Sequence, residues 1–175
     1  MNCKNCGAPM RLMAERGCFF CDYCGTYSFP DETRDRVQIL NETSTLKCPL
    51  CHVEQVSGLI FDFPVLVCKK CRGLMFKPPI LLGVMDYVLK AGLGGGQMAR
   101  PLDREGLSRM VHCPGCNQQM STHPYQGGGN IIIDTCMPCR LVWLDYGELH
   151  RVIISNPKNP FPSDYLRFTK KGHKH

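Results

Sequence analysis

Twelve of the chain's thirteen cysteines stand in six Cys-x-x-Cys pairs: Cys3/Cys6, Cys21/Cys24, Cys48/Cys51, Cys68/Cys71, Cys113/Cys116 and Cys136/Cys139. Two thiolates at this spacing fit one tight turn, and two such turns complete the four-sulfur tetrahedron that Zn²⁺ takes in structural sites. Read two pairs at a time, the chain predicts three four-cysteine centres and three Zn²⁺. Within each centre 14 to 19 residues separate the two knuckles, the spacing of ribbon-type zinc sites. Catalytic zinc keeps one position open for water or substrate, usually beside three protein ligands. Four cysteines close each site here, so the expected chemistry is structural and the chain is read as non-enzymatic. No Ser/His/Asp or Cys/His pairing suggests a nucleophile. Gly92–Gly96 lacks the Lys-Ser/Thr that follows a phosphate-binding loop and reads as a linker.

Other reactive groups have plainer roles. Cys18 is the odd thiol, three residues before Cys21. Gly25, directly after Cys24, favours Cys24 as the ligand, because glycine supplies the positive φ that ends such a knuckle. Cys18 is then a small buried residue or a redox-sensitive spare. Asp145 and Glu148 have the spacing of an acid/base pair but also of a capping box, with Asp145 as N-cap of a helix from Tyr146 to Ile154. Trp143 is expected to plug the hairpin, its indole N–H needing a partner. Lys69, Lys70 and Arg72 ring one knuckle. They either balance the thiolate charge or form a nucleic-acid contact through phosphate.

The elements that must position these residues are small. The spacing divides the chain into a ribbon over 1–30, a polar linker over 31–45 and a second ribbon with a helix over 46–91. A Gly-rich hinge with a short helix spans 92–110, a third ribbon 111–154 and a tail 155–175. The fold class is small, metal-stabilised and mainly β: a tandem array of three four-cysteine zinc ribbons with short connecting helices. Units this short bury too little surface to fold without metal, whereas a structural zinc contributes about 10 kcal/mol of apparent folding free energy. The helix is expected at 80–91, with prolines in its first turn and Gly92 after its end. Its apolar residues nearly encircle it, so it must pack on the ribbons or on another chain. A short helical turn is expected after Asp31, and a turn at Gly127–Asn130.

The 46–91 and 111–154 units repeat one another. Both open on Cys-Pro-x-Cys, both carry a β-rich middle, and both follow the last cysteine with arginine, Arg72 or Arg140.

Charge narrows the partners. The formal net charge is +6 with cysteines neutral. A Zn²⁺ held by four thiolates carries −2, so three such sites bring the loaded chain to about zero. Basicity therefore gives little reason to expect nucleic acid. A protein partner is the first expectation, and nucleic acid at Lys69, Lys70 and Arg72 the alternative. Redox or metal sensing through zinc release is a third. No secretory signal or membrane-length apolar run is visible, so a cytoplasmic protein with reduced cysteines is expected. Oligomeric state is left open.

The stretch Cys113-Pro114-Gly115-Cys116, Cys136-Met137-Pro138-Cys139 and Trp143-Leu144-Asp145-Tyr146-Gly147-Glu148-Leu149 resembles the transcription factor IIB-type zinc-finger family. The resemblance covers about 40 residues and implies zinc and a ribbon fold. It differs in Leu141, where the family usually has glycine. The second unit looks like a diverged copy that keeps the cysteines and Gly73. The first, with Cys-x-x-Cys-Gly twice, also resembles the rubredoxin iron knuckle, and tetrahedral sulfur accommodates zinc or iron.

Overall fold

In the computed structural model the described residues are 1–14, 16–30, 34–98, 100–126 and 129–156, without the side chains of residues 41 and 105. The helical turn expected after Asp31, half of the turn at 127–130 and nearly all of the tail lie outside them.

The first unit is a three-stranded antiparallel sheet in the order β1 (Arg11–Met13), β2 (Cys18–Phe20) and β3 (Tyr27–Ser28). Seven strands among the described residues that follow build a second sheet. Its strands are β4 (Gln38–Lys47), β5 (Glu54–Ile60), β6 (Phe63–Val67), β7 (Leu74–Phe76), β8 (Ser121–Pro124), β9 (Ile132–Cys136) and β10 (Leu141–Leu144). Their order is β4-β5-β6-β7-β10-β9-β8. The helices are α1 (Pro78–Lys90), α2 (Arg104–Leu107) and α3 (Glu148–Ser155).

The second and third ribbons are therefore fused edge to edge. β7 and β10 pair antiparallel through Leu74↔Leu144, Met75↔Trp143 and Phe76↔Val142. Cys68 and Cys136 stand 68 positions apart, and so do Cys71 and Cys139. Met75 and Trp143 share that offset, so each pairs with its own counterpart. A local two-fold axis passes between them and relates β5-β6-β7 to β8-β9-β10. The cause is burial. All three residues of β7 and all four of β10 are buried, and neither strand could be left as a bare sheet edge in water.

One face of this sheet carries the core. Leu74, Phe76, Val142 and Leu144 pack there against Leu81, Val84 and Val88 of α1 and Leu149, Val152 and Ile153 of α3. α1 thus packs on the ribbons of its own chain, and its exposed large apolar residues are Leu82 and Tyr87. Its start has prolines at the first positions, and Gly92 follows it at φ +62°. The opposite face gathers Met75, Trp143, Leu141, Met120 and the buried cysteines of the second and third centres.

Two connectors do more than the sequence suggests. Residues 38–45 of the polar stretch belong to β4, which pairs β5 with two register irregularities. The Gly-rich segment is tied to the end of α3, because Gly96 N–H donates to the Asn156 carbonyl at 2.9 Å and Gln97 N–H to that of Ile154 at 2.9 Å. Among the described residues, no helix is long and apolar enough to cross a membrane.

Candidate metal centres

The six Cys-x-x-Cys pairs close the same kind of turn. The residue after each second cysteine has positive φ: Gly7, Gly25, His52, Arg72, Asn117 and Arg140, between 52° and 76°. Glycine takes this conformation without cost; the other four do not. In five of the six turns that residue's N–H donates to the carbonyl of the first cysteine at 2.8 or 2.9 Å. In the same five turns the first cysteine's N–H reaches across to a carbonyl five residues on, as from Cys3 to Ala8 at 2.8 Å. Backbone N–H groups are aimed at sulfur: Cys51 N–H to Cys48 Sγ at 3.2 Å, Cys71 N–H to Cys68 Sγ at 3.4 Å and Gly115 N–H to Cys113 Sγ at 3.4 Å. Such donors stabilise the negative charge of a four-thiolate site.

The cysteines converge as three quartets, Cys3/Cys6/Cys21/Cys24, Cys48/Cys51/Cys68/Cys71 and Cys113/Cys116/Cys136/Cys139, with the four Sγ atoms of each within 4.8 Å of one another. Facing pairs such as Cys6–Cys21 and Cys48–Cys71 are 3.5 and 3.7 Å apart. A tetrahedron with Zn–S bonds of about 2.3 Å has edges of about 3.8 Å, whereas a disulfide would close to about 2.0 Å. The donor sets fit zinc at all three places, and the chain has three four-cysteine zinc sites. Cys18 stands outside the quartets, fully enclosed in β2, and burial pushes its thiol pKa up.

The sites differ in enclosure. In the second, Cys48, Cys68 and Cys71 are buried. In the first and third, Cys6 and Cys116 lie exposed. Tyr27 of the first ribbon packs onto the cluster that holds the second site's cysteines. Lys70 lies beside Gly25, its Nζ 3.7 Å from where a Cβ on that glycine would be. Lys69 and Lys70 are exposed, while Arg72 is half-buried with its guanidinium 6.0 Å from the Phe29 ring centre. The sequence-predicted basic trio thus sits where the first and second sites come close.

Asp145 is not a helix cap. α3 begins at Glu148 after Gly147 at φ +82°. Only half of the expected box forms: Glu148 Oε2 accepts from Asp145 N–H at 2.6 Å, and Oε1 accepts from Ile132 N–H at 3.2 Å. Burial and the nearby Asp145 hold the Glu148 carboxyl well above the usual range. The helix N-terminus is capped from afar. Asp35 Oδ2 accepts from Gly147 N–H at 2.6 Å, and Oδ1 from His150 N–H at 3.0 Å.

The Asp145 side chain is taken up by a buried polar cluster. Trp143 Nε1 donates to its Oδ1 at 3.2 Å, the partner the indole required. Its Oδ2 pairs with Arg109 and, at 2.8 Å, with Arg16 from the turn between β1 and β2. Arg109 also pairs with Asp134, which Thr122 supports. Burial raises the Asp134 pKa, against the pull of Arg109. With Phe29 against Tyr146 at 4.6 Å, this cluster fastens the first ribbon to the third. Sequence reading missed Arg16, Asp35, Arg109 and Asp134. The one available signal was Asp134, an acid at the end of Ile131-Ile132-Ile133 that could not be buried without a cation.

No curated protein and no solved structure matches the chain. Residues 112–154 match the model of the transcription factor zinc-finger family, the TFIIB-type zinc ribbon.

Proposed function

We propose that the chain is a non-enzymatic, zinc-stabilised scaffold whose ribbons hold a surface for a protein partner. The observation that carries this reading is the closure of the metal sites: each quartet supplies four thiolates, leaving no ligand position for water or substrate. The near-zero charge of the loaded chain supports a protein over a polyanion. So does the first ribbon's use of Tyr27 and Phe29 for docking within the chain. The test is crosslinking and pull-down from cells with and without nuclease. Protein partners that survive nuclease and depend on zinc are expected. Loss of every partner on nuclease treatment would overturn the reading.

Exposed Lys69 and Lys70, together with a matched family described as transcription factor zinc-fingers, favour a second reading: nucleic-acid contact. It requires binding that weakens steeply with salt, and a shallower salt slope in the Lys69→Ala/Lys70→Ala double variant. Salt-insensitive or absent binding would remove it.

A further inference from the structure

The two-fold relation between the second and third ribbons makes each surface position comparable with its counterpart. The first ribbon covers one such position. Its Arg16 meets Asp145, and its Phe29 meets Tyr146 and Arg72. The buried cluster beneath is polar: Thr122, Asp134, Asp145 and the cation Arg109.

At the offset of 68 that relates Cys68 to Cys136, Asp134 corresponds to Leu66, Trp143 to Met75, Asp145 to Lys77 and Glu148 to Ile80. At the offset of 65 that relates Cys48 to Cys113, Thr122 corresponds to Ser57 and Val111 to Leu46. These counterparts line a groove of about 490 Å³ together with Leu141. β6 and β7 pair only at Leu66↔Met75 and Val67↔Leu74. Two residues from Leu66 along β6 stands Pro64, which has no N–H to give, and the two strands part before it. At the same offset of 68 the counterparts of Lys69 and Lys70 are Met137, 81% exposed, and Pro138. A polar, covered position on the third ribbon is thus matched by an apolar one on the second that is open among the described residues.

Charge is inverted as well. Where the covered position offers the acid Asp145 to the cation Arg16, the open one offers the exposed cation Lys77, the only charged residue among the described ones that line the groove.

We propose that this groove is the docking site of a partner-protein segment with an apolar face and an acidic side chain set against Lys77. It stands to the second ribbon as Arg16 and its turn stand to the third. The volume suits about three apolar side chains, as an amphipathic helix presents at i, i+3 and i+7. The proposal rests on the protein-scaffold reading and names that partner's chemistry.

The test uses the full zinc-loaded chain and two synthetic helical peptides with the same Leu/Phe face, one flanked by Glu and the other by Lys. Tighter binding of the Glu peptide by about tenfold is expected, with NMR shifts at the methyl groups of Met75, Ile80 and Met137. Lys77→Glu, at an exposed residue, must reverse the preference while zinc content stays at three. Equal affinity, no binding, or shifts confined to other surfaces would overturn the proposal. So would self-association of the chain abolished by Lys77→Glu, which would make a second copy the occupant. Nuclease-resistant partners unaffected by Lys77→Glu would likewise sink the groove while leaving the scaffold reading standing.

Discussion

Met75 and Trp143 lie directly opposite each other across the β7–β10 seam, and each occupies in its own ribbon the place the other occupies in its. Their sizes are compensated by their neighbours. A Cβ on Gly73 would overlap the Trp143 indole, and Leu141 stands at the counterpart of Gly73. The pair Gly73 with Trp143 and the pair Leu141 with Met75 thus fill similar space on the two sides of the local axis. Where the third ribbon carries Leu141, the second has a glycine for the tryptophan to lie on.

The seam makes a double-variant prediction. Gly73→Leu alone should destabilise the fold by about 1–3 kcal/mol or more, since a packed core resists added volume. Trp143→Met alone should leave a cavity and cost about 3 kcal/mol. Together they make the seam symmetric, and the combined loss in thermal or denaturant unfolding should be smaller than the sum. Additive losses would show that the two positions do not share space.

Asp145 holds the first ribbon in place, and its removal should separate docking from metal binding. Asp145→Asn leaves Arg16 and Arg109 facing a neutral amide. The cost should fall near or below the low end of the about 3–5 kcal/mol typical of a broken buried pair, because both arginines keep some exposure. Faster hydrogen exchange or proteolysis confined to the first ribbon, with three zincs still bound, is the expected signature. An unchanged protection pattern would mean that Phe29 and Tyr146 carry the docking alone.

Glu148 gives a pH-dependent difference. Glu148→Gln turns an NH2 toward one of the two N–H groups its carboxylate accepts, at a cost of about 1–3 kcal/mol. The folded-state pKa of Glu148 is raised by burial and by Asp145, so the folded chain holds that proton more tightly than the unfolded one. The wild-type contribution is fully present below the ordinary glutamate range and fades as pH rises through the raised folded value. The variant lacks this loss, so the gap between the two should narrow as pH increases. Measuring both proteins at each pH cancels the shared pH dependence of the zinc sites. A widening gap would contradict the assignment.

Much of this was legible in the sequence because metal ligands announce themselves by spacing. The quartets, the prolines opening α1 and the repeat of Cys-Pro-x-Cys all follow from local pattern. What was not legible depends on contacts distant in sequence. β4 carries a run of polar residues with no strand-like alternation, among them Gln38, Asn41, Glu42 and Ser44, that reads as a connector until β5 supplies its partner. Asp145 has the spacing of a cap, but the N–H groups at the start of α3 are taken by Asp35, 112 positions away from Gly147. The fusion of two ribbons into one sheet follows from strands apolar on both faces, a pattern too short at Leu74–Phe76 to be told from a buried loop.

The metal sites should be lost in order of enclosure. Cys6 and Cys116 are exposed, whereas three cysteines of the second site are buried in a cluster on which Tyr27 of the first ribbon packs. A chelator needs access to a ligand, so the first and third sites should yield zinc before the second. Native mass spectrometry during titration with a chelator should pass from three zincs to one before the sheet unfolds. Cys6→Ser should remove one zinc and leave the seven-stranded sheet intact. Cys68→Ser should unfold the sheet, because its site anchors the hairpin that feeds β5, β6 and β7. Cys18→Ser, at a thiol outside the quartets, should leave zinc content at three. Loss of a zinc in Cys18→Ser would reassign the first site, and early loss of the second site would show that burial does not set the order.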